Sequence, residues 1–168
     1  MRESEYLDGS MKLINKLRGI PTLSVFTKED LQVLIRFSKL RSYESGELII
    51  KEGSYDCWLY FIISGSVKVV NQGVDIAVME NLGDIFGEMG IVSETARSAS
   101  VFAMEEAVCL AANASDVENL TGRDKQAFGY VLYRLFAQIL ADRLRLTNKE
   151  LVKLKGEGED VKFEWKNR

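Results

Sequence analysis

Between Leu40 and Ala111 the chain never sustains one apolar run for long. Leu48–Ile50, Trp58–Ile63, Val67–Val70, Val74–Met79, Ala99–Ala103 and Ala107–Ala111 are short apolar segments. Ser45-Gly46-Glu47, Glu52-Gly53-Ser54, Ser64-Gly65-Ser66 and Asn71-Gln72-Gly73 punctuate them. Glycine and asparagine tolerate the backbone angles that tight turns demand. Many short strands at close, regular spacing predict an all-β sandwich or barrel. The longest apolar run, Cys57 to Ile63, is far too short to cross a bilayer.

The flanks are helical in pattern. Over residues 3–18, Leu7, Met11, Ile14 and Leu17 recur near one face, and Gly19 and Pro21 mark the end. Thr27-Lys-Glu-Asp30 opens a second helix with a capping-box-like start, and Leu31, Leu34, Ile35 and Phe37 supply its apolar face. Ser115, followed by Asp116 and Glu118, predicts a short capped helix that Thr121-Gly122 breaks. From about Asp124 to Lys155 one helical pattern runs without a break.

That last segment carries two apolar stripes. Phe128, Leu132, Leu135 and Ile139 form one, expected to lie on the barrel. Tyr130, Tyr133, Ala137, Leu140, Leu144, Thr147, Leu151 and Leu154 form the other, with spacings of three and four as in a heptad seam. One helix cannot bury both stripes against one barrel, so the second predicts a homodimer. The organisation expected is an N-terminal and β-rich part over 1–122, a dimerisation helix over 123–155 and a polar tail over 156–168.

The residues richest in chemistry are 83–100. Gly83, Gly87 and Gly90 let the backbone approach a ligand closely. Glu88 and Met89 can begin a short helix, whose leading N–H groups favour an anion. Arg97 can fork onto two phosphate oxygens, and Ser98 adds a hydroxyl. Glu88, an acceptor beside an anion site, needs a donor such as a sugar hydroxyl. Together they ask for a ligand with a phosphate and a free hydroxyl a few ångströms away.

Phe86-Gly87-Glu88-Met89-Gly90 followed by Arg97-Ser98-Ala99-Ser100 resembles the phosphate-binding cassette of cyclic-nucleotide-binding domains, above all those of the bacterial catabolite activator (cAMP receptor) family. The resemblance implies a double-stranded β-helix, or jelly roll, with flanking helices. It places the ribose 2′-hydroxyl on Glu88 and the cyclic phosphate on Arg97 and Ser98. Gly87 and Met89 complete the cassette. Tyr60-Phe-Ile-Ile-Ser-Gly-Ser-Val-Lys-Val resembles the hairpin that precedes it, with Val69 toward the base. Arg143-Leu-Arg-Leu-Thr147-Asn148 resembles the helix segment that reaches the adenine, which makes Thr147 and Asn148 the expected base contacts; asparagine stands where the family has serine.

The resemblance covers roughly residues 20–155 and lacks the family's winged helix-turn-helix, so no DNA binding by this chain is expected. The function implied is sensing of a 3′,5′-cyclic nucleotide, cAMP ahead of cGMP, with output to an unknown downstream protein. The alternatives are a dimeric structural module with a degenerate pocket, and the ligand-sensing part of a transcription regulator.

Composition narrows the chemistry. The chain has no histidine, which excludes Ser-His-Asp and Cys-His catalysis and histidine-based metal sites. A metal-dependent cupin, which shares the jelly roll, would need those histidines. Two cysteines are too few for an iron–sulfur cluster. No enzyme, metal or cofactor is expected. Cys57 and Cys109 lie in apolar sequence and read as buried thiols of a cytoplasmic protein. The net charge of −3 and the absence of an apolar leader after Met1 point to neither nucleic acid nor membrane.

Overall fold

The computed structural model describes residues 1–4, 11–20, 23, 24, 26–92, 95–115 and 122–156. Two antiparallel sheets face each other. One has the order β1 (Arg2–Glu3), β2 (Ser38–Tyr43), β9 (Ala107–Asn113), β4 (Trp58–Ser64), β7 (Ile85–Phe86). The other has β3 (Leu48–Ile50), β8 (Ser100–Ala103), β5 (Val67–Asn71), β6 (Val74–Met79). The chain changes sheet at the Ser64-Gly65-Ser66 turn. The strand rhythm called for a sandwich or barrel, and this is the jelly roll that the family resemblance implied.

Side-chain alternation sets what each face buries. Tyr60, Ile62, Cys109 and Ala111 point between the sheets, where they cluster with Val67, Val101 and Ala103. Leu59, Phe61, Leu110 and Ala112 point the other way and cluster with the helices. β4 is therefore apolar on both faces, as its unalternating sequence requires.

The helices close the outer face of the five-stranded sheet. In α1 (Met11–Arg18), Ile14 and Leu17 are fully buried. In α2 (Lys28–Arg36), Thr27 and Asp30 form the anticipated capping box, and Leu31, Leu34 and Ile35 are buried. The Ser38 hydroxyl donates to Leu34 O at 2.7 Å and ties α2 to β2. A short α3 (Glu88–Val92) follows β7. The long helix α4 spans Gly122–Gly156, 35 residues. Phe128, Leu132, Leu135 and Ile139 are buried as expected, and Val131 and Phe136 join them. The stripe packs mainly on α2 rather than directly on the sheet. Beyond Ile139 no described residue of α4 is buried. The second stripe is open: Tyr130, Tyr133, Leu140 and Leu144 are all exposed.

Three expectations need correction or fall outside the description. The helix expected from residue 3 does not begin there. Arg2–Glu3 is a strand paired with Arg41–Ser42, and the Glu3 carboxylate bonds Lys39 and Arg41, contacts a helix could not offer. Leu7, Pro21, the short helix after Ser115 and the tail beyond Gly156 lie outside the described residues. Cys57 is exposed, because it sits in the loop before β4 rather than in the strand, whereas Cys109 is buried as expected. Burial pushes the Cys109 thiol up to about 12. A maleimide at neutral pH is expected to label one thiol per native chain and two in denaturant. Two fast sites in the native protein would contradict the burial of Cys109.

Candidate functional site

The cassette joins the two sheets to the long helix. β7 ends at Phe86, and Gly87 turns the chain into α3 at φ +91°. A Cβ there would lie 2.8 Å from Trp58 O and 3.1 Å from Arg97 Nη1, so the turn needs glycine. Glu88 follows at the first position of α3, 1% exposed. Arg97 arrives ten residues after Gly87 with its backbone clamped. Its N–H donates to Ser54 O at 2.8 Å, and its carbonyl accepts from Gly53 N–H at 2.9 Å.

Arg97 is 4% exposed and richly bonded. Nε donates to Asp56 Oδ2 at 3.2 Å, Nη2 to Asp56 Oδ1 and to Trp58 O at 2.6 Å, and Nη1 to Gly87 O. Four of the five guanidinium N–H groups are thus engaged. The fork expected to meet a phosphate is held by Asp56. Toward the cavity Arg97 offers its charge and one Nη1–H. Burial alone would raise the Asp56 carboxyl; hydrogen bonds from Arg97 and the Trp58 N–H, and the charges of Arg97 and Arg41, overcome it and hold the group below its ordinary range.

Glu88 is held from the long helix. Arg143 Nη1 donates to Glu88 Oε1, and Arg143 Nη2 to Ile85 O at 2.8 Å. Glu88 Oε2 is buried and has no partner among the described residues. A buried acceptor without a donor is costly.

Both side chains face one cavity of about 600 Å³. Gly87, Glu88, Met89, Arg97, Ser98 and Val69 line it, and Thr147 closes it from α4. Ile76, Met79 and Leu146 add an apolar wall, and Arg143 and Glu150 add charges. Asn148 is not among the lining residues. It borders a separate surface depression with Arg145, Lys149 and Val152. The face of α4 turned to the cavity carries Arg143, Leu146, Thr147 and Glu150, at helical spacings of three and four, and Asn148 lies round the helix from that face. Asp56, Arg143 and Glu150 were not singled out from sequence. Arg143 carried a usable signal, since it precedes Thr147 by one helical turn; Asp56 carried none.

The cavity thus holds a buried cation, Arg97, beside a buried carboxylate, Glu88, that lacks a donor for Oε2 among the described residues. Residues 40–124 match the family model described as "Cyclic nucleotide-binding domain". The chain belongs to that family. The family is typically regulatory. The cyclic AMP receptor protein of Thermus thermophilus is 30% identical over 140 residues, which cover 80% of this chain and 62% of that protein. Glutaminase 1 of Bradyrhizobium diazoefficiens is 34% identical over 132 residues, 78% of this chain but only 21% of that protein. The chain therefore spans about a fifth of the glutaminase and under two-thirds of the receptor protein. A cyclic nucleotide-binding domain from Methylobacillus flagellatus superposes with a TM-score of 0.73 at 22% identity, covering 92% of this chain and 90% of that one, a likeness of fold. No described helix is long and apolar enough to cross a membrane.

Proposed function

We propose that this domain binds a 3′,5′-cyclic nucleotide, cAMP ahead of cGMP, and signals its occupancy through α4. The observation that carries the reading is Glu88 Oε2, a buried acceptor with no donor among the described residues, in the same cavity as Arg97. A ribose 2′-hydroxyl supplies the missing donor, and the cyclic phosphate meets the Arg97 charge and the N–H groups at the start of α3. Thr147 accepts from the adenine amino group, while guanine presents a carbonyl at that ring position. Arg143 grips Glu88 from α4, so a ligand that engages Glu88 acts on the helix directly. Helix poses that bind it differently then shift in population.

Titration with three ligands tests this. cAMP is expected to bind about tenfold or more tightly than cGMP, the worth of one good hydrogen bond. A 2′-deoxy analogue is expected to bind poorly. Equal binding of the deoxy analogue removes Glu88 from the ribose. A second reading has its own observation: Glu150 also lines the cavity. Guanine carries two adjacent N–H donors that suit a carboxylate, so a preference for cGMP would assign the base contact to Glu150 instead of Thr147.

The exposed stripe of α4 supports a homodimer, formed in a reducing compartment that suits the exposed thiol of Cys57. The downstream partner is a protein that reads the helix pose. Leu144→Lys with Leu151→Lys places like charges across a two-fold seam. Light scattering is expected to report monomers for this variant and dimers for the parent; a dimeric variant would refute the seam.

A further inference from the structure

Arg41 is a cation on the inner side of a β-sandwich, 9% exposed, with no place in the ligand contacts above. β9 lies between β2 and β4, and the buried residues it turns toward the sandwich interior, Ala107, Cys109 and Ala111, are all small. These small residues clear a path across the sheet. Arg41 Nη1 donates to Tyr60 Oη at 2.9 Å, and its guanidinium carbon lies 3.7 Å from the centroid of the Trp58 ring. Its Nε donates to Glu3 on β1. A buried cation is a poor way to gain stability when an apolar side chain would fill the same space.

Trp58 connects this cation to the site. Its backbone N–H donates to Asp56 Oδ1 at 3.0 Å, and its carbonyl accepts from Arg97 Nη2 at 2.6 Å. The residue whose ring Arg41 covers therefore touches both members of the Asp56–Arg97 pair. We infer that Arg41 is a positioning residue for the phosphate-binding arginine, and that Glu3 couples the N-terminal strand to nucleotide affinity through it. The Arg41 charge takes up part of the Asp56 field and leaves Arg97 more positive toward the cavity. The stack on Trp58 fixes the carbonyl that aims Nη2. The reduced proton affinity of Asp56, to which the Arg41 charge contributes, agrees with this.

The inference rests on the cyclic-nucleotide reading of the cavity. Arg41→Met keeps the stem and removes the charge. It is expected to weaken cAMP binding about five- to tenfold in a protein that still melts cooperatively. Arg41→Lys keeps the charge but loses the planar stack on Trp58, and is expected to weaken binding about two- to threefold, less than Arg41→Met. Coupling is reciprocal, so saturating cAMP is expected to slow amide exchange in residues 1–4 and 38–43 of the unmodified chain. Folded Arg41→Met with parental affinity, Arg41→Lys as weak as Arg41→Met, or exchange indifferent to cAMP each overturns the inference. If Arg41→Met does not fold, Arg41→Lys and the exchange measurement decide. A parent chain that binds no cyclic nucleotide brings down the cavity reading itself, whereas normal parental binding with an unaffected variant removes only the role of Arg41.

Discussion

Arg97→Ala is expected to abolish measurable cyclic-nucleotide binding while the protein still folds. The substitution removes the charge that faces the cavity and does something worse beside it. Asp56 stays behind, its negative charge no longer neutralised by a close partner. Loss of an attraction is compounded by a new repulsion. Truncating one member of a hydrogen-bonded charge contact costs about 2–5 kcal/mol, so a loss of at least about thirtyfold is expected. The fold tolerates the change because the Asp56 side chain is 32% exposed and can be hydrated. Calorimetry is the direct measure, and affinity within about tenfold of the parent would remove the phosphate from Arg97.

Gly65→Ala should produce the largest loss of stability from a single methyl group. Gly65 sits at φ +81° where the chain passes from one sheet to the other. A Cβ there would lie 2.4 Å from Glu106 O and 2.7 Å from Ala107 Cα, both backbone atoms of the turn into β9. Left-handed strain of about 1–2 kcal/mol adds to overpacking of about 1–3 kcal/mol. A total near 3 kcal/mol lowers the melting temperature by roughly 10 °C in a chain of this size. Gly73 is the natural control. It has the same φ, +81°, and nothing within 4 Å of its added Cβ. If Gly65→Ala and Gly73→Ala melt together, the turn yields more easily than its geometry implies.

The sandwich was legible because its strands are separated by glycine turns and its helices by a capping box and a change of period. β1 and β7 were not, since two residues cannot show a period and each is a strand only through its partner. The cassette was legible because Gly87, Glu88, Arg97 and Ser98 sit within a dozen residues. What secures it was not. Asp56 meets Arg97 across 41 positions and Arg143 meets Glu88 across 55. No local pattern encodes such pairings. The same limit explains Arg97 itself: its residue type announces a fork, but only the fold shows that Asp56 holds it. Asn148 falls outside the cavity because the face of α4 turned to it carries Arg143, Leu146, Thr147 and Glu150, at spacings of three and four.

The overhang of α4 gives the Arg143–Glu88 contact mechanical leverage. Thirteen residues of helix extend from Arg143 to Gly156, a rod of about 20 Å at 1.5 Å per residue. In the proposed mechanism Arg143 is its fulcrum, set against the cassette through Glu88. A swing of about 10° about that point carries the far end through roughly 3.5 Å, close to two-thirds of a helical turn. In the signalling proposed for this domain, a displacement of ångström scale inside the cavity reaches whatever grips the tip enlarged.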